Sequence, residues 1–302
     1  MITSISNQRI KRLIQLQEKS KARNKERIFV AEGMKMFEEA PIDRLKEVYV
    51  QESLWKQLFG GMVFQQGTTD NRVNAKERGS RTEAERTEMA RQKLQACEKK
   101  GVLVEQVADD VFKKAADTQT PQGILFVAEQ LSYSLDDLLS HTEMNGKGNC
   151  PLFLLLEDIQ DPGNLGTMIR TAEGAGVAGV IMSKGTVDIY NPKTIRSTMG
   201  SLYRVPFLYT EELTAAVKRL QKSGIKVYAA HLSGEKFYDE IVYEGGSGFL
   251  IGNEGNGLKK ETADSADVYL KIPMEGKLES LNAGIAAALL MYRAAGDARK
   301  RK

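Results

Sequence analysis

The sequence predicts an α/β protein. It reads as a small α/β/α domain over residues 1–128, then a mostly parallel sheet covered by helices over residues 151–302. Three observations carry this. Short apolar runs alternate with stretches of helical period along both parts. Turns bearing Gly, Pro, Asn and Asp separate them. Three stretches that mix glycine with polar residues each follow an apolar run: Asn164–Arg170 (NLGTMIR), Phe249–Leu258 (FLIGNEGNGL) and Ile272–Asn282 (IPMEGKLESLN). Sites at strand ends of α/β domains are built from such loops.

In chain order, Ser6 is placed to cap a helix over Asn7–Lys19. In it Ile10, Leu13, Ile14 and Gln17 alternate with Arg9, Lys11, Arg12 and Lys19, which gives an apolar stripe and a basic back. A strand (Ile28–Ala31), a helix (Met34–Ala40), a strand (Glu47–Val50) and a short helix (Ser53–Leu58) follow. Gly60–Ser80 is polar, without a period, and reads as a loop. Ser80 and Glu83 can form a capping box for a helix over Arg81–Lys99. Then come a strand (Val102–Val107), a helix (Asp109–Ala116), the turn Thr118–Gly123 (TQTPQG) and a strand (Ile124–Ala128). Residues 129–150, ending in HTEMNGKGNC, read as a linker.

Beyond Pro151, strands are expected near 152–156, 179–183, 205–209, 226–230, 248–252 and 268–272. Helices are expected near 164–175, 192–200, 211–223 and 281–295. Asn164 reads as the cap of the first of these and Ser280 as the cap of the last. Gly174–Gly179 (GAGVAG) matches a dinucleotide fingerprint. However, a helix precedes it and a strand follows, the reverse of what that fingerprint needs.

Composition bounds the class. Hydrophobic residues are 41% and charged residues 27%, as in ordinary globular proteins. No apolar run approaches ~20 residues, and the N-terminus lacks a signal segment, so no membrane association is expected. Cys97 and Cys150 suggest no disulfide framework, which makes a cytoplasmic location the expectation. His141 and His231 stand apart from other ligand types, so no metal is expected. Net charge is +3, yet residues 1–27 hold eight Lys/Arg and two Glu. This balance fits either a polyanion partner or a solvated basic face. Asp70–Lys100, with nine Lys/Arg and six acids, admits the same two readings.

The order N-x-G-x-x-x-R, G-N-E-G-x-G-L and I-P-M-x-G-x-x-E-S-L-N, all within residues 152–295, resembles the SpoU (TrmH) family. These are RNA ribose 2'-O-methyltransferases of the SPOUT superfamily that use S-adenosylmethionine. The resemblance implies a deep C-terminal trefoil knot that forms the cofactor pocket, and a homodimer. The opening SISNQRIKRLIQLQEKSKARNKERIFVAEG is similar to the family's N-terminal substrate domain, itself like certain RNA-binding ribosomal proteins. Ribosomal RNA, 23S above all, is then the expected substrate. Transfer RNA is the alternative, and a non-catalytic RNA-binding assembly factor is the rival of another class.

Residue by residue, the resemblance places Arg170, Asn164, Glu254, Ser280 and Asn282 in the catalytic site. It places Leu232, Gly252, Asn253, Ile272 and Leu281 around S-adenosylmethionine. Arg170 has a bland alternative, pairing with Glu173 at i+3. A guanidinium with a pKa above about 12 polarises a hydroxyl more easily than it removes the proton. Arg9, Lys11, Arg12, Lys21 and Arg23 of the basic N-terminus, with Arg196, are the candidate RNA contacts.

Overall fold

The computed structural model describes residues 1–60, 83–144 and 150–301. They fall into two compact units, Met1–Gln130 and Leu131–Lys302.

The first unit opens with α1 (Gln8–Glu18). Asn7, not Ser6, caps it, accepting a bond from Arg9 N. Ile10, Leu13 and Leu16 recur at helical spacing and are buried. A further helix, α2 (Ser20–Glu26), was not expected and ends on left-handed Arg27. Next come β1 (Ile28–Glu32), α3 (Met34–Glu39), β2 (Leu45–Gln51), α4 (Glu52–Phe59) and α5 (Glu83–Lys99). β3 (Leu103–Val107), α6 (Asp109–Ala115) and β4 (Ile124–Glu129) complete the unit. The expected loop 61–80, Ser80 with its capping box, and Arg81 lie outside the described residues. The strand order is β1-β4-β2-β3, with only β2/β3 parallel. Val30, Tyr49, Leu125 and Val127 pack on α1 and α6, while Phe126 turns to the other face and meets Phe37 of α3. The alternation of strand side chains thus gives a helix layer on each face.

The second unit begins where the linker was expected. Within 129–150 lies α7 (Leu135–Met144), whose Leu138 is fully buried. Ser134 and Asp137 form a reciprocal capping box at its start: Ser134 N donates to Asp137 Oδ2 and Asp137 N to Ser134 Oγ. Then follow β5 (Leu152–Leu156), α8 (Pro162–Ala175), β6 (Gly179–Ser183), α9 (Pro192–Thr198), β7 (Phe207–Thr210) and α10 (Leu213–Lys222). β8 (Lys226–Ala230), β9 (Lys236–Phe237), β10 (Ser247–Ile251), α11 (Lys260–Asp264), β11 (Val268–Lys271) and α12 (Ala283–Lys300) close the chain. The seven strands run parallel in the order β7-β6-β5-β10-β8-β11-β9. The strands bury apolar runs such as Leu152–Leu156, as a sheet covered on both faces must.

Two caps differ from expectation. Asp161 caps α8 by accepting from Asn164 N at 2.7 Å, so Asn164 sits inside the first turn. Asn282, not Ser280, caps α12. Both shifts free polar side chains for other partners. The GAGVAG segment is the end of α8, with left-handed Gly176, followed by β6, so helix precedes strand.

Candidate active site

Strands β5, β10, β8 and β11 are neighbours and parallel, so their C-terminal ends open along one edge. The polar loops predicted from sequence all leave from that edge.

β10 runs into Gly252. A Cβ there would lie 2.2 Å from Gly257 C and from Leu258 N, so only glycine fits. The loop closes on itself through Asn253 N to Gly257 O (3.1 Å) and Gly257 N to Asn253 O (2.9 Å). Asn253 braces it from inside. Its Oδ1 accepts from Gly255 N and Asn256 N, and its Nδ2 donates to Asp158 O at 2.8 Å. The rigid loop presents Glu254 to the start of α8.

A chain of hydrogen bonds then joins three of the five candidate catalytic residues. Asn282 Oδ1 accepts from Gly284 N (2.9 Å) and Ile285 N (3.2 Å) at the start of α12. Helix N–H groups are donors only, so the amide is fixed with Nδ2 outward. That Nδ2 donates to Asn164 Oδ1 at 2.9 Å, and Asn164 Nδ2 donates to Glu254 Oε1 at 3.0 Å. Glu254 also accepts from Gln160 N (3.1 Å) and Asp161 N (3.3 Å). Burial pushes its carboxyl up, but these donors outweigh that and hold it below the ordinary value.

Arg170 lies further along α8 and is exposed. The pairing alternative is removed: Arg204 grips Glu173 through Nε to Oε1 and Nη2 to Oε2 (3.1 Å). Arg170 forms no ion pair among the described residues. Ser280 is exposed in the 272–282 loop and is not hydrogen-bonded to the cluster among the described residues.

The candidate cofactor residues follow three adjacent strands. Leu232 comes after β8 and is 71% exposed. Gly252 and Asn253 follow β10; Ile272 follows β11 and Leu281 stands before α12, both half-buried. The β8 loop folds onto β11. His231 N donates to Leu270 O at 2.9 Å, and a Cβ on Gly234 would lie 2.5 Å from Leu270 C. Apolar residues and loop backbone groups at neighbouring strand ends are the types that suit an adenosyl group.

Asp158, Gln160 and Asp161 were not singled out from sequence, although the polar turn EDIQDPGN that holds them was visible. Asp158 adopts φ +52°, a costly conformation for a non-glycine. Its N donates to Ser183 Oγ (2.8 Å), Ser183 Oγ donates back to Oδ1 (2.7 Å), and Lys259 Nζ reaches Oδ2 (2.7 Å). The Lys259 contact, then Ser183, lowers its pKa. Gln160 Nε2 ties the turn to Gly185 O at 2.8 Å. Asp158, Gln160, Asn253, Asn256 and Lys259 line a cleft beside the Glu254 loop.

The RNA-facing candidates divide. Arg23 is 2% exposed, and its Nη1 donates to the carbonyls of Leu16 and Gln17 at the end of α1. It braces that helix end and is removed from the RNA-facing set. Arg9 pairs with Glu105, and Arg12 with Glu26 and Glu47. Lys11 and Lys21 are exposed, and Arg196 on α9 is half-buried. Among the described residues no group of His, Cys, Asp and Glu could hold a metal ion, and no helix is long and apolar enough to cross a membrane.

Comparison with known proteins places the chain among RNA methyltransferases. The SpoU rRNA Methylase family matches residues 151–292, and the MRM3-like substrate binding domain matches residues 7–126. The chain is similar to the 23S rRNA (guanosine(2553)-2'-O)-methyltransferase RlmP of Bacillus subtilis, 35% identical over 196 residues, 65% of this chain and 74% of that protein. It is 30% identical over 203 residues to the 23S rRNA (guanosine-2'-O-)-methyltransferase RlmB of Ralstonia nicotianae, covering 67% and 80%. The AdoMet-bound rRNA methyltransferase from Sinorhizobium meliloti superposes with a TM-score of 0.72 at 28% identity, over 97% of this chain and 96% of that one.

Proposed function

The chain belongs to the SpoU rRNA methylase family, and from that membership we propose that it methylates a ribose 2'-hydroxyl of RNA with S-adenosylmethionine, 23S ribosomal RNA being the substrate. The observation that carries this reading is the Asn282–Asn164–Glu254 chain at the open strand ends. It ties the starts of two helices to the glycine loop beside the apolar residues that would hold the cofactor.

S-adenosylmethionine supplies a methyl group on a positively charged sulfur, which needs only an aligned oxygen that can lose its proton. Leu232, Ile272 and Leu281 would enclose its adenosyl part, with Gly252 and Asn253 offering backbone groups. Arg170 is the group left for the hydroxyl: exposed, without an ion pair among the described residues, and always charged. Its charge favours the developing alkoxide, and a guanidinium polarises a hydroxyl more easily than it removes the proton. Three donors converge on Glu254 and hold its pKa down, so Glu254 positions Asn164 rather than taking the proton. Asn282 holds Asn164 from the other side. Ser280, exposed next to Leu281, is free to meet substrate or cofactor.

Met1–Gln130 serves as the RNA-binding part, with Lys11, Lys21, Arg9 and Arg12 on its basic side and Arg196 of the catalytic part facing RNA. The C-terminal knot fits a strand order in which β10 lies between β5 and β8. Homodimerisation is supported by α12, which leaves Ile285 and Tyr292 about half exposed (51% and 47%). A cytoplasmic location follows from a ribosomal RNA substrate.

The test is ribose-methylation mapping across total RNA from cells with and without the protein. One lost 2'-O-methyl position in 23S RNA, restored by the wild-type chain, is the expected result. A lost position in transfer RNA would replace the substrate, and no lost position would remove the catalytic reading.

A further inference from the structure

The turn Thr118–Gly123 (TQTPQG) takes no part in the site above, nor does Glu32, the last residue of β1. The fold brings them together. Thr118 Oγ1 donates to Glu32 Oε1 at 2.5 Å. Gly33 N donates to Ile124 O, and Met34 N donates to Gln122 Oε1 at 3.3 Å. Gln122 Oε1 would lie 2.7 Å from a Cβ on Gly33, whose φ of +109° already demands glycine. The turn is therefore folded back onto the Glu32–Gly33 corner.

Glu32 is only 8% exposed, and its second oxygen, Oε2, is buried with no hydrogen-bond partner among the described residues. Native interiors rarely leave a carboxylate half satisfied, and such a group calls for an explanation. The segment bonded to it lies at the surface: Gln119, Thr120 and Gln122 are exposed and Thr118 is half-buried. Of its side chains Thr118 bonds the carboxylate, while Gln122 holds the corner beside it through Met34 N.

We propose that Glu32, uncovered when the Thr118 hydroxyl gives way, recognises the Watson–Crick edge of an unpaired guanine in the substrate RNA. This rests on the reading of Met1–Gln130 as the RNA-binding part. An ionised carboxylate only accepts, and its two oxygens suit two neighbouring N–H donors. Guanine offers them at N1 and N2, whereas the same edge of adenine, cytosine or uracil has no two adjacent donors. Single-stranded RNA is read on such edges, where the base is free of its pair. Guanine N1–H would replace Thr118 at Oε1 while N2–H satisfies Oε2. Lys113 and Lys114, exposed at the end of α6 just before the turn, supply charge for the adjoining phosphates.

The test is binding of the full-length protein to a short guanine-rich single-stranded RNA and to its inosine twin, which lacks the N2 amino group. The wild-type chain is expected to prefer guanine by about tenfold. Glu32→Gln keeps one oxygen for Thr118 but turns the other into an N–H donor, and it should abolish the preference while S-adenosylmethionine affinity stays unchanged. A purely structural role for Glu32 would leave RNA preference untouched, because the Thr118 bond survives. Thr118→Val, which removes the competing hydroxyl, should raise guanine affinity and serves if Glu32→Gln does not fold; unchanged affinity in it counts against the proposal. Equal binding of both RNAs by the wild type, or a preference that survives Glu32→Gln, overturns it while the RNA-binding reading of Met1–Gln130 stands. A wild type that binds neither RNA overturns both.

Discussion

Arg170 and Glu254 behave in opposite ways, and each leads to a test. Arg170 reaches out of α8, while Glu254 is held by three donors. Arg170→Ala should lower methyl transfer by two or more orders of magnitude, the scale of a lost charge-stabilising group, with S-adenosylmethionine affinity within a few-fold. Single-turnover methylation and cofactor titration on the same preparation check this; near-normal turnover would remove Arg170 from the chemistry. For Glu254 the folded pKa lies below the unfolded one. Its stabilisation is therefore complete above the unfolded carboxylate value and is lost as pH falls through the folded one. Glu254→Gln should cost roughly 1 kcal/mol at neutral pH, modest because the side chain is solvent-exposed, and the gap to wild type should close in acid. Melting curves at neutral and acid pH measure it. Asn164, Glu254 and Asn282 were legible in the sequence because side-chain identity in a spaced motif marks them. Gln160 and Asp161 act on Glu254 through backbone N–H groups, which no residue letter reports. Arg23 was misread for a related reason: a charge pattern does not tell an exposed arginine from one folded back on helix-end carbonyls.

Among the elements, α8 carries the most constraints, since its start belongs to the site and its middle packs on α9. At Gly166 a Cβ would lie 2.3 Å from Ser197 Cβ and 2.8 Å from Thr194 O. The second neighbour is backbone and cannot step aside. Gly166→Ala should therefore destabilise the protein by about 1–3 kcal/mol through overpacking and shift α8 against the Glu254 loop. Calorimetry reads the first effect, and loss of methylation beyond the loss of folded protein reads the second; a neutral substitution would mean that α9 yields. Elements with a sustained period, such as α1, β5 and α12, could be read in advance to within a few residues. α7 was not, because its flanks are polar and glycine-bearing; the Ser134–Asp137 box was the one available signal. β9 and α11 are too short to show a period and exist through their neighbours: β9 pairs with β11, and α11 carries Thr262, whose hydroxyl donates to Glu157 at 2.5 Å.

At the scale of the whole molecule, the division at Gln130 gives each part its own sheet and core. Residues 131–302 alone should keep S-adenosylmethionine affinity within a few-fold and lose methylation of the natural RNA. Isothermal titration and a methylation assay on the truncated chain decide this, and full activity would remove the substrate-binding role of the first part. The alternation of strands and helices made the two-part plan readable. The path of the chain between strands was not, because threading depends on contacts between residues far apart in sequence, and local periodicity carries no trace of it.

The bond between Asn282 and Asn164 spans 118 positions of sequence and is made by the cap of the final helix. During synthesis, Asn164 and Glu254 leave the ribosome well before α12 can dock. Until α12 has emerged, Asn164 has its bond to Glu254 but lacks the Asn282 donor that holds it from the other side. The chain order thus leaves the hydrogen-bonded chain of Glu254, Asn164 and Asn282 incomplete until α12 has folded against α8.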